Sequence, residues 1–217
     1  ARNEARVPFT KKHKKTHTIL GPQMAPIHFD LYEEGFRHMG YKVDILPVVD
    51  HKAINEGLTY VNNDACYPSI LVTGQIMEAL KSGKYDLDNT SVFISQTGGG
   101  CRASNYAGFI RKALKDADMD QVPVVSINAS GLEGNPGLKI GPAFISKFIM
   151  ATVYGDLLMK LINATRPYEV ESGATDALYE KWRVKLKKSL RFGDVFSYRK
   201  NLMQIAKEFA SIETKNI

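Results

Sequence analysis

The stretch that decides the fold is Thr90-Ser91-Val92-Phe93-Ile94-Ser95-Gln96-Thr97-Gly98-Gly99-Gly100-Cys101-Arg102. Its first five residues form a buried apolar segment, and a helical pattern follows over residues 103–115. It therefore predicts a strand, a glycine turn and a helix, with the cysteine at the carboxyl edge of a sheet. Ligands bind at that edge in open α/β sheets. Glycines there allow a ligand to approach the backbone N–H groups, because they have no Cβ. A helix N-terminus favours the thiolate form of a cysteine.

Strand-like and helix-like segments alternate on both sides of this stretch, which predicts βαβ units and a parallel sheet. The predicted strands are 17–21, 41–46, 92–94 and 122–127, and the predicted helices are 26–39, 68–82 and 105–117, with a partly helical connector at 50–63. We therefore expect an α/β fold with a small parallel sheet of about four strands, flavodoxin-like or doubly wound. A C-terminal all-helical segment follows it.

Composition changes along the chain divide it into three predicted regions. Residues 1–15 form a polar, basic arm, and residues 16–142 form the α/β domain with both cysteines. Residues 143–217 form a helical appendage that we expect to pack on that domain. Its first helix, at 144–162, is strongly apolar but interrupted by charges, so we expect it to be buried in the protein or in an interface.

The overall composition is that of an ordinary globular protein, with 217 residues, 44% hydrophobic, and a net charge of +6. Two cysteines do not make a disulfide framework, so we expect reduced thiols and a cytoplasmic protein. No apolar run is long enough to span a membrane, and we expect no membrane partner. The basic segments carry no nucleic-acid motif, so we expect no nucleic-acid partner, whereas a homo-oligomer is compatible with the sequence.

The two cysteines, Cys66 and Cys101, each precede a predicted helix, but their spacing excludes a CxxC motif. Three interpretations remain open. They are iron–sulfur ligands that converge at one sheet edge, a catalytic thiol with His28 as its base, or two small buried hydrophobic residues. On spacing alone, the last is the default.

The glycine loop matches neither a Walker A loop nor the GxGxxG fingerprint. It can still form an anion site through backbone N–H groups, with Arg102 as a side-chain partner. Further polar residues follow the predicted strands or precede the helices, and they make this edge suitable for a small-molecule cleft. They are Asn62, Asn63 and Asp64, which are candidate helix caps, and Gln96, Asn105, Asn128 and Ser130.

Several longer motifs carry a family resemblance. They are Phe9-Thr10-Lys11-Lys12, Gly21-Pro22-Gln23-Met24-Ala25-Pro26-Ile27-His28-Phe29, Tyr60-Val61-Asn62-Asn63-Asp64-Ala65-Cys66-Tyr67-Pro68, Gly74-Gln75, Ala79-Leu80-Lys81-Ser82-Gly83-Lys84-Tyr85-Asp86 and Gln96-Thr97-Gly98-Gly99-Gly100-Cys101-Arg102-Ala103-Ser104-Asn105-Tyr106. In these motifs the chain resembles the large acyl-CoA dehydratase activase-related proteins, also described as CoA-substrate-specific enzyme activases. The resemblance lies in the part similar to 2-hydroxyacyl-CoA dehydratase subunits, and it covers most of the chain, from about Arg6 to near Ile162.

The resemblance implies that cysteines in loops of this α/β domain hold a [4Fe–4S] cluster. A partner ATPase, as a portion of the same protein or a subunit, delivers an electron at low potential for radical dehydration of a 2-hydroxyacyl-CoA. Cys66 and Cys101 match the positions of the family's thiols, so cluster ligation is carried over to them alone. A CoA-linked small molecule, as its thioester, is the expected further ligand.

The surrounding site residues follow from this hypothesis. Gly98, Gly99 and Gly100 donate backbone N–H bonds to the cluster or a ligand, with Arg102 beside them. Asn105 and His28 are expected to lie next to the cluster ligands. No residue is assigned a catalytic role.

The sequence departs from the family pattern because it has no ATPase phosphate loops and too few cysteines to complete a cluster. Two alternatives therefore remain open. One is a cluster-free scaffold or a CoA- or nucleotide-binding domain of a larger protein, without activity by itself. The other is a cysteine hydrolase.

Overall fold

The computed structural model describes residues 6–96, 105–128, 131–132, 135–192 and 194–215. The chain divides into two compact units. The first unit is Ala1–Met24 with Gly40–Lys139, and the second is Ala25–Met39 with Ile140–Ile217. Within the described ranges, no helix combines the length and the apolar character that crossing a membrane requires.

The elements alternate between strands and helices in the first two thirds of the chain and are helical afterwards. In chain order they are α1 (Lys11–Thr16), β1 (Thr18–Gly21), α2 (Pro26–His38), β2 (Lys42–Ile45), α3 (His51–Tyr60), α4 (Tyr67–Lys81), a 3₁₀ turn (Leu87–Asn89), β3 (Thr90–Gln96), α5 (Tyr106–Asp116), β4 (Val124–Asn128), β5 (Gly131–Leu132), α6 (Pro142–Thr165), α7 (Ala174–Phe192) and α8 (Val195–Ala210). The expected α/β fold with a C-terminal helical segment is confirmed.

The sheet of the first unit has the strand order β2-β1-β3-β4-β5. The first four strands are parallel, and the two-residue β5 runs antiparallel along the edge of β4. The order of the parallel strands is that of flavodoxin-like doubly wound sheets. The sequence analysis predicted no strand at the β5 residues, because a two-residue strand has no periodicity of its own.

The core of the first unit lies between one face of this sheet and two helices. Side chains alternate across a strand, so the paired residues Leu20, Val92 and Val124 lie on the same face. They join one apolar cluster with buried residues of α4, such as Ile76, and of α5, such as Ile110.

Helix α3 packs against α4 at a close approach of two backbones. A Cβ on Gly74 would lie 1.8 Å from the carbonyl oxygen of Ala53, and a Cβ on Gly57 would lie 2.2 Å from that of Ile70. Only glycine fits at these two positions. The connector predicted at 50–63 thus contains a helix, α3. Its surface against α4 consists of small residues, which a search for apolar periodicity does not detect.

The N-terminal segment differs from the solvated arm expected over residues 1–15. Phe9 is completely buried, its N–H donates to Asn135 Oδ1 at 3.1 Å, and its carbonyl accepts from the Gly137 N–H at 2.8 Å. Thr10 then begins α1 through a reciprocal capping box with His13. The basic lysines of this segment thus follow one buried aromatic anchor, which composition alone does not reveal.

The second unit contains α2, α6, α7 and α8 around an apolar cluster that includes Leu31, Leu158, Trp182 and Ile205. The sequence analysis had placed the helix at 26–39 in the α/β region, but its contacts place it with the C-terminal helices. Strand-then-helix order alone does not specify which core a helix joins.

Helix α6, which we expected to be buried in the protein or in an interface, buries one side within this chain. Phe144, Tyr154 and Leu158 are buried, whereas Ile149 and Val153 are exposed. An apolar helix can therefore leave a stripe of its surface uncovered within the part of the chain that the structure describes.

Candidate functional site

The carboxyl edge of the sheet contains a topological switch point between β1 and β3. The chain leaves β1 towards β2 on one side, and it leaves β3 towards β4 on the other. Ligands of open α/β sheets bind at such a point. Gly21 ends β1 there, and the pair Gln96 and Asn128 ends β3 and β4.

The loop after β1 is held at this edge by a buried glutamine of α4. The Gln23 N–H donates to Gln75 Oε1 at 2.8 Å, and Gln75 Nε2 donates to the Gln23 carbonyl at 3.3 Å. Gln75 is buried, so these bonds satisfy an amide that would otherwise be costly in the core. The sequence analysis missed this role, although a glutamine within an apolar helix signals a polar partner.

Two buried oxygen atoms near this edge have no hydrogen-bond partner among the residues that the structure describes. They are the side-chain Oε1 of Gln23 and the Oγ of Ser126, which lies two residues before the end of β4. Buried polar atoms are normally satisfied, so these two oxygens are exceptions within the described residues.

Cys66 is the residue immediately before α4, as the sequence predicted, and it has the extended backbone of an N-cap. Its side chain makes no cap hydrogen bond, and it is half-buried. The carbonyl of Cys66 accepts from the Ser69 N–H at 2.9 Å and from the Ser69 hydroxyl at 2.7 Å. Cys66 is therefore held by its backbone at a helix N-terminus, and its side chain is only partly buried.

The polar residues ahead of Cys66 form a turn of their own and do not cap α4, which corrects one expectation. Asn62 Oδ1 accepts from the Asp64 N–H at 2.9 Å, and the Asn62 carbonyl accepts from the Ala65 N–H at 2.9 Å. The side chains of Asn62, Asn63 and Asp64 are exposed. This Asx turn directs the chain into the helix at Cys66.

The start of α4 is tied to the start of α5 through the common core. Cys66 packs against the apolar cluster that includes Tyr106 and Ala107, in the first turn of α5. Helices α4 and α5 are in contact. The segment that contains Cys101 connects β3 to this same helix.

Asn105 precedes α5 as its N-cap residue but makes no side-chain cap bond. Its amide instead lies over the first turn, where a Cβ on Gly108 would approach Asn105 Oδ1 to 2.3 Å. Gly108 thus makes room for the asparagine. The other predicted residues of this loop, Gly98, Gly99, Gly100, Cys101 and Arg102, lie outside the described residues.

His28 lies in the first turn of α2, in the second unit, whereas Cys66 belongs to the first. Its Nε2 donates to Asp156 Oδ1 at 2.9 Å, and the imidazole covers Gly155 so closely that a Cβ there would meet it at 2.4 Å. Its partner within the unit is therefore a carboxylate of α6. The sequence offered no signal for this pairing across a long chain separation.

A separate small cavity lies at the carboxyl end of β2. It has a volume of about 190 Å³ and is lined by residues 46–50, by Gln75 and Glu78 of α4, and by Tyr85. The Tyr85 hydroxyl donates to Asp44 at 2.5 Å, and burial together with this bond raises the pKa of Tyr85. The phenol thus stays protonated and closes one wall.

The described residues contain no group of three or more histidine, cysteine or acidic side chains arranged to hold a metal ion. Among the described residues Cys66 is a free, half-buried cysteine, and the sequence has one other cysteine, Cys101. A cubane cluster usually requires four ligands, so the chain fits such a group only with ligands from outside it.

Comparisons of the chain with protein-family models, with curated proteins and with solved structures found no match.

Proposed function

We propose that the chain is an iron–sulfur-binding domain of the 2-hydroxyacyl-CoA dehydratase and activase-related kind. In this proposal Cys66 and Cys101 are cluster ligands, and the domain takes part in ATP-coupled, low-potential electron transfer to acyl-CoA dehydration. The observation that carries the proposal is the setting of Cys66, a half-buried thiol without a cap hydrogen bond at the N-terminus of α4.

That setting suits a metal thiolate for two reasons. Cys66 lies at the positive end of the α4 dipole, where anionic ligands bind, and its side chain is only partly buried. The packing of Cys66 against the cluster that includes the first turn of α5 supports a role for the loop before α5. Cys101 is the thiol of that loop.

The two cysteines supply only part of the ligand set, so the proposal includes ligands from a second polypeptide or from a bound small molecule. When bound, a [4Fe–4S] cluster supplies one-electron transfer at low potential. The chain's own contribution is to position two thiolates and to place polar groups around them. An ATPase portion or subunit and a CoA thioester are the proposed partners.

Anaerobic reconstitution with iron and sulfide tests this proposal. We expect the protein to turn brown and to retain iron and acid-labile sulfide after desalting. Cys66→Ser should lower the retained iron several-fold, and Cys101→Ser should do the same. Iron analysis and the visible absorption of the charge-transfer bands are the measurements.

Tyr67→Phe is the matched control, because Tyr67 is an exposed neighbour of Cys66 with no sulfur to lose. It should retain the iron of the wild-type chain. Equal retention by the wild-type chain and by the double variant Cys66→Ser, Cys101→Ser would overturn the proposal and favour the cluster-free scaffold.

A further inference from the structure

The connection between α7 and α8, in the second unit, presents an unusual apolar tip to solvent. Phe192 ends α7 with 79% of its surface exposed, and Phe196 lies in the first turn of α8 with 83% exposed. Val195 between them is also exposed. Isolated exposed apolar residues are common, but two nearly bare phenylalanines beside a valine indicate a contact surface.

Four cations lie beside these apolar residues. We define the tip as the three apolar residues together with the four cations: Lys188, Arg191, Phe192, Val195, Phe196, Arg199 and Lys200. Lys188, Arg191, Arg199 and Lys200 are exposed. None of the four has an ion pair within the described ranges. One acid, Asp194, lies among them and caps α8 by accepting from the Ser197 N–H at 2.8 Å, and its single negative charge leaves the four cations in excess.

The apolar and basic character continues along the exposed face of α8. Phe196, Lys200, Met203 and Lys207 recur at spacings of three or four residues, so they lie on one side of the helix. Met203 is 77% exposed. The opposite side of α8 is buried through Asn201, Ile205 and Phe209.

The tip has a defined position, because hydrogen bonds hold both the end of α7 and the start of α8. His38 Nδ1 donates to the carbonyl of Arg191 at 2.5 Å, which holds the end of α7. Asp194 and Ser197 form a reciprocal capping box at the start of α8. Leu190, directly before the tip, is buried in the apolar cluster of the unit.

We propose that this tip binds an anionic lipid surface, independently of the proposed iron–sulfur function. Phe192 and Phe196 would enter the headgroup region, and the four surrounding cations would contact lipid phosphates and carboxylates. Unpaired cations around protruding aromatic side chains complement a surface that is acidic outside and apolar beneath. The sequence analysis expected no membrane partner, because no apolar run is long enough to span a membrane. The contact proposed here is peripheral and does not require such a run.

Two other acidic occupants fit the tip less well. Single-stranded nucleic acid binds in a positively charged groove that follows its backbone, whereas Phe192 and Phe196 are nearly fully exposed and line no groove. An acidic protein helix requires an apolar groove, whereas Phe192 and Phe196 are exposed on nearly all sides. A lipid surface accepts separate protruding side chains without a complementary shape.

Vesicle co-sedimentation tests the proposal with the whole chain. The probes are vesicles of phosphatidylcholine alone and of equal parts phosphatidylcholine and phosphatidylserine, at low and at physiological salt. We expect binding only to the anionic vesicles, and weaker binding at higher salt. The double variant Arg199→Gln, Lys200→Gln should bind about 25-fold more weakly, at about fivefold for each charge. Phe196→Ser should lower binding about tenfold at unchanged net charge.

Matched controls separate the tip from net charge and from general hydrophobicity. Lys11→Gln with Lys12→Gln removes two exposed charges from α1, and Val184→Ser removes an exposed apolar residue of α7 away from the tip. Both should bind like the wild-type chain, and far-UV circular dichroism checks that every variant folds.

Three results would overturn the proposal. They are equal binding to neutral and anionic vesicles, an equal loss of binding in the α1 control, and Phe196-dependent binding of polyglutamate or single-stranded RNA without binding of vesicles.

Discussion

Gln75 and Gln23 form a reciprocal pair in which one side-chain amide satisfies both backbone polar groups of the other residue. Gln75 Oε1 accepts from the Gln23 N–H at 2.8 Å, and Gln75 Nε2 donates to the Gln23 carbonyl at 3.3 Å. The pair joins the middle of α4 to the loop after β1, beside the switch point of the sheet. The helix that follows Cys66 thereby determines where that loop lies.

We predict that Gln75→Leu lowers the free energy of unfolding by about 2 kcal/mol, because two backbone groups lose their partners at about 1 kcal/mol each. Urea denaturation followed by circular dichroism is the measurement. Gln121→Leu is the control, since Gln121 is exposed, and it should change stability by less than about 0.5 kcal/mol. A loss no larger than that of the control would contradict the role assigned to the pair.

Gly74 tests the contact between α3 and α4. A side chain at this position would overlap the carbonyl of Ala53, so we predict that Gly74→Ser destabilises the protein by about 2 kcal/mol or more. Gly141→Ser is the matched control, because a Cβ there meets nothing within 4 Å and serine is a good N-cap for α6. Thermal unfolding of the two variants should differ clearly, and equal midpoints would show that the helices can separate at low cost.

His17 should make stability depend on pH. Burial and the neighbouring His13 lower the pKa of His17 from 6.5, and its Nδ1 bond to the Thr90 carbonyl at 3.0 Å only partly opposes them. The unfolded chain therefore binds a proton more readily than the folded one. The contribution of neutral His17 is fully present above pH 6.5 and is lost as the pH falls through its folded pKa.

Denaturant midpoints measured between pH 7.5 and pH 5 check this expectation, with the range chosen to bracket an ordinary histidine pKa of about 6.5. The midpoint should fall with pH in the wild-type chain. His17→Gln should flatten that fall, whereas His51→Gln, at an exposed position of α3, should leave it unchanged. A slope that survives in His17→Gln would assign the pH dependence to other groups.

Trp182 and Glu208 connect α7 to α8. The indole N–H of the completely buried Trp182 donates to Glu208 Oε2 at 3.0 Å, and Lys181 donates to the same oxygen at 2.9 Å. We predict that Glu208→Leu costs about 1–3 kcal/mol, because a buried donor is left without its partner, and that Glu208→Gln costs less. Trp182 is the only tryptophan, so its emission reports directly on the unfolding of this unit.

The local sequence pattern was enough to predict the alternation of strands and helices. Hydrophobic periodicity and the backbone preferences of proline and glycine are properties of a few neighbouring residues. The helix predicted at 26–39 is α2, which is followed by Gly40 with a φ of +79°, and Cys66 lies directly before α4. The α/β class and the parallel sheet follow from that alternation. The cluster hypothesis arose from two thiols and a family resemblance, and it stays a prediction.

Tertiary contacts decided the partners of these elements, since a pairing between distant residues leaves no periodic trace in the chain. Helix α2 follows β1 in sequence but packs with α6 and α7. His28 meets Asp156 across 128 positions, and Gln75 meets Gln23 across 52. Such pairs depend on which surfaces are buried together, and burial is a property of the folded chain. Sequence periodicity therefore specified the elements, and packing in three dimensions assigned each polar side chain its role.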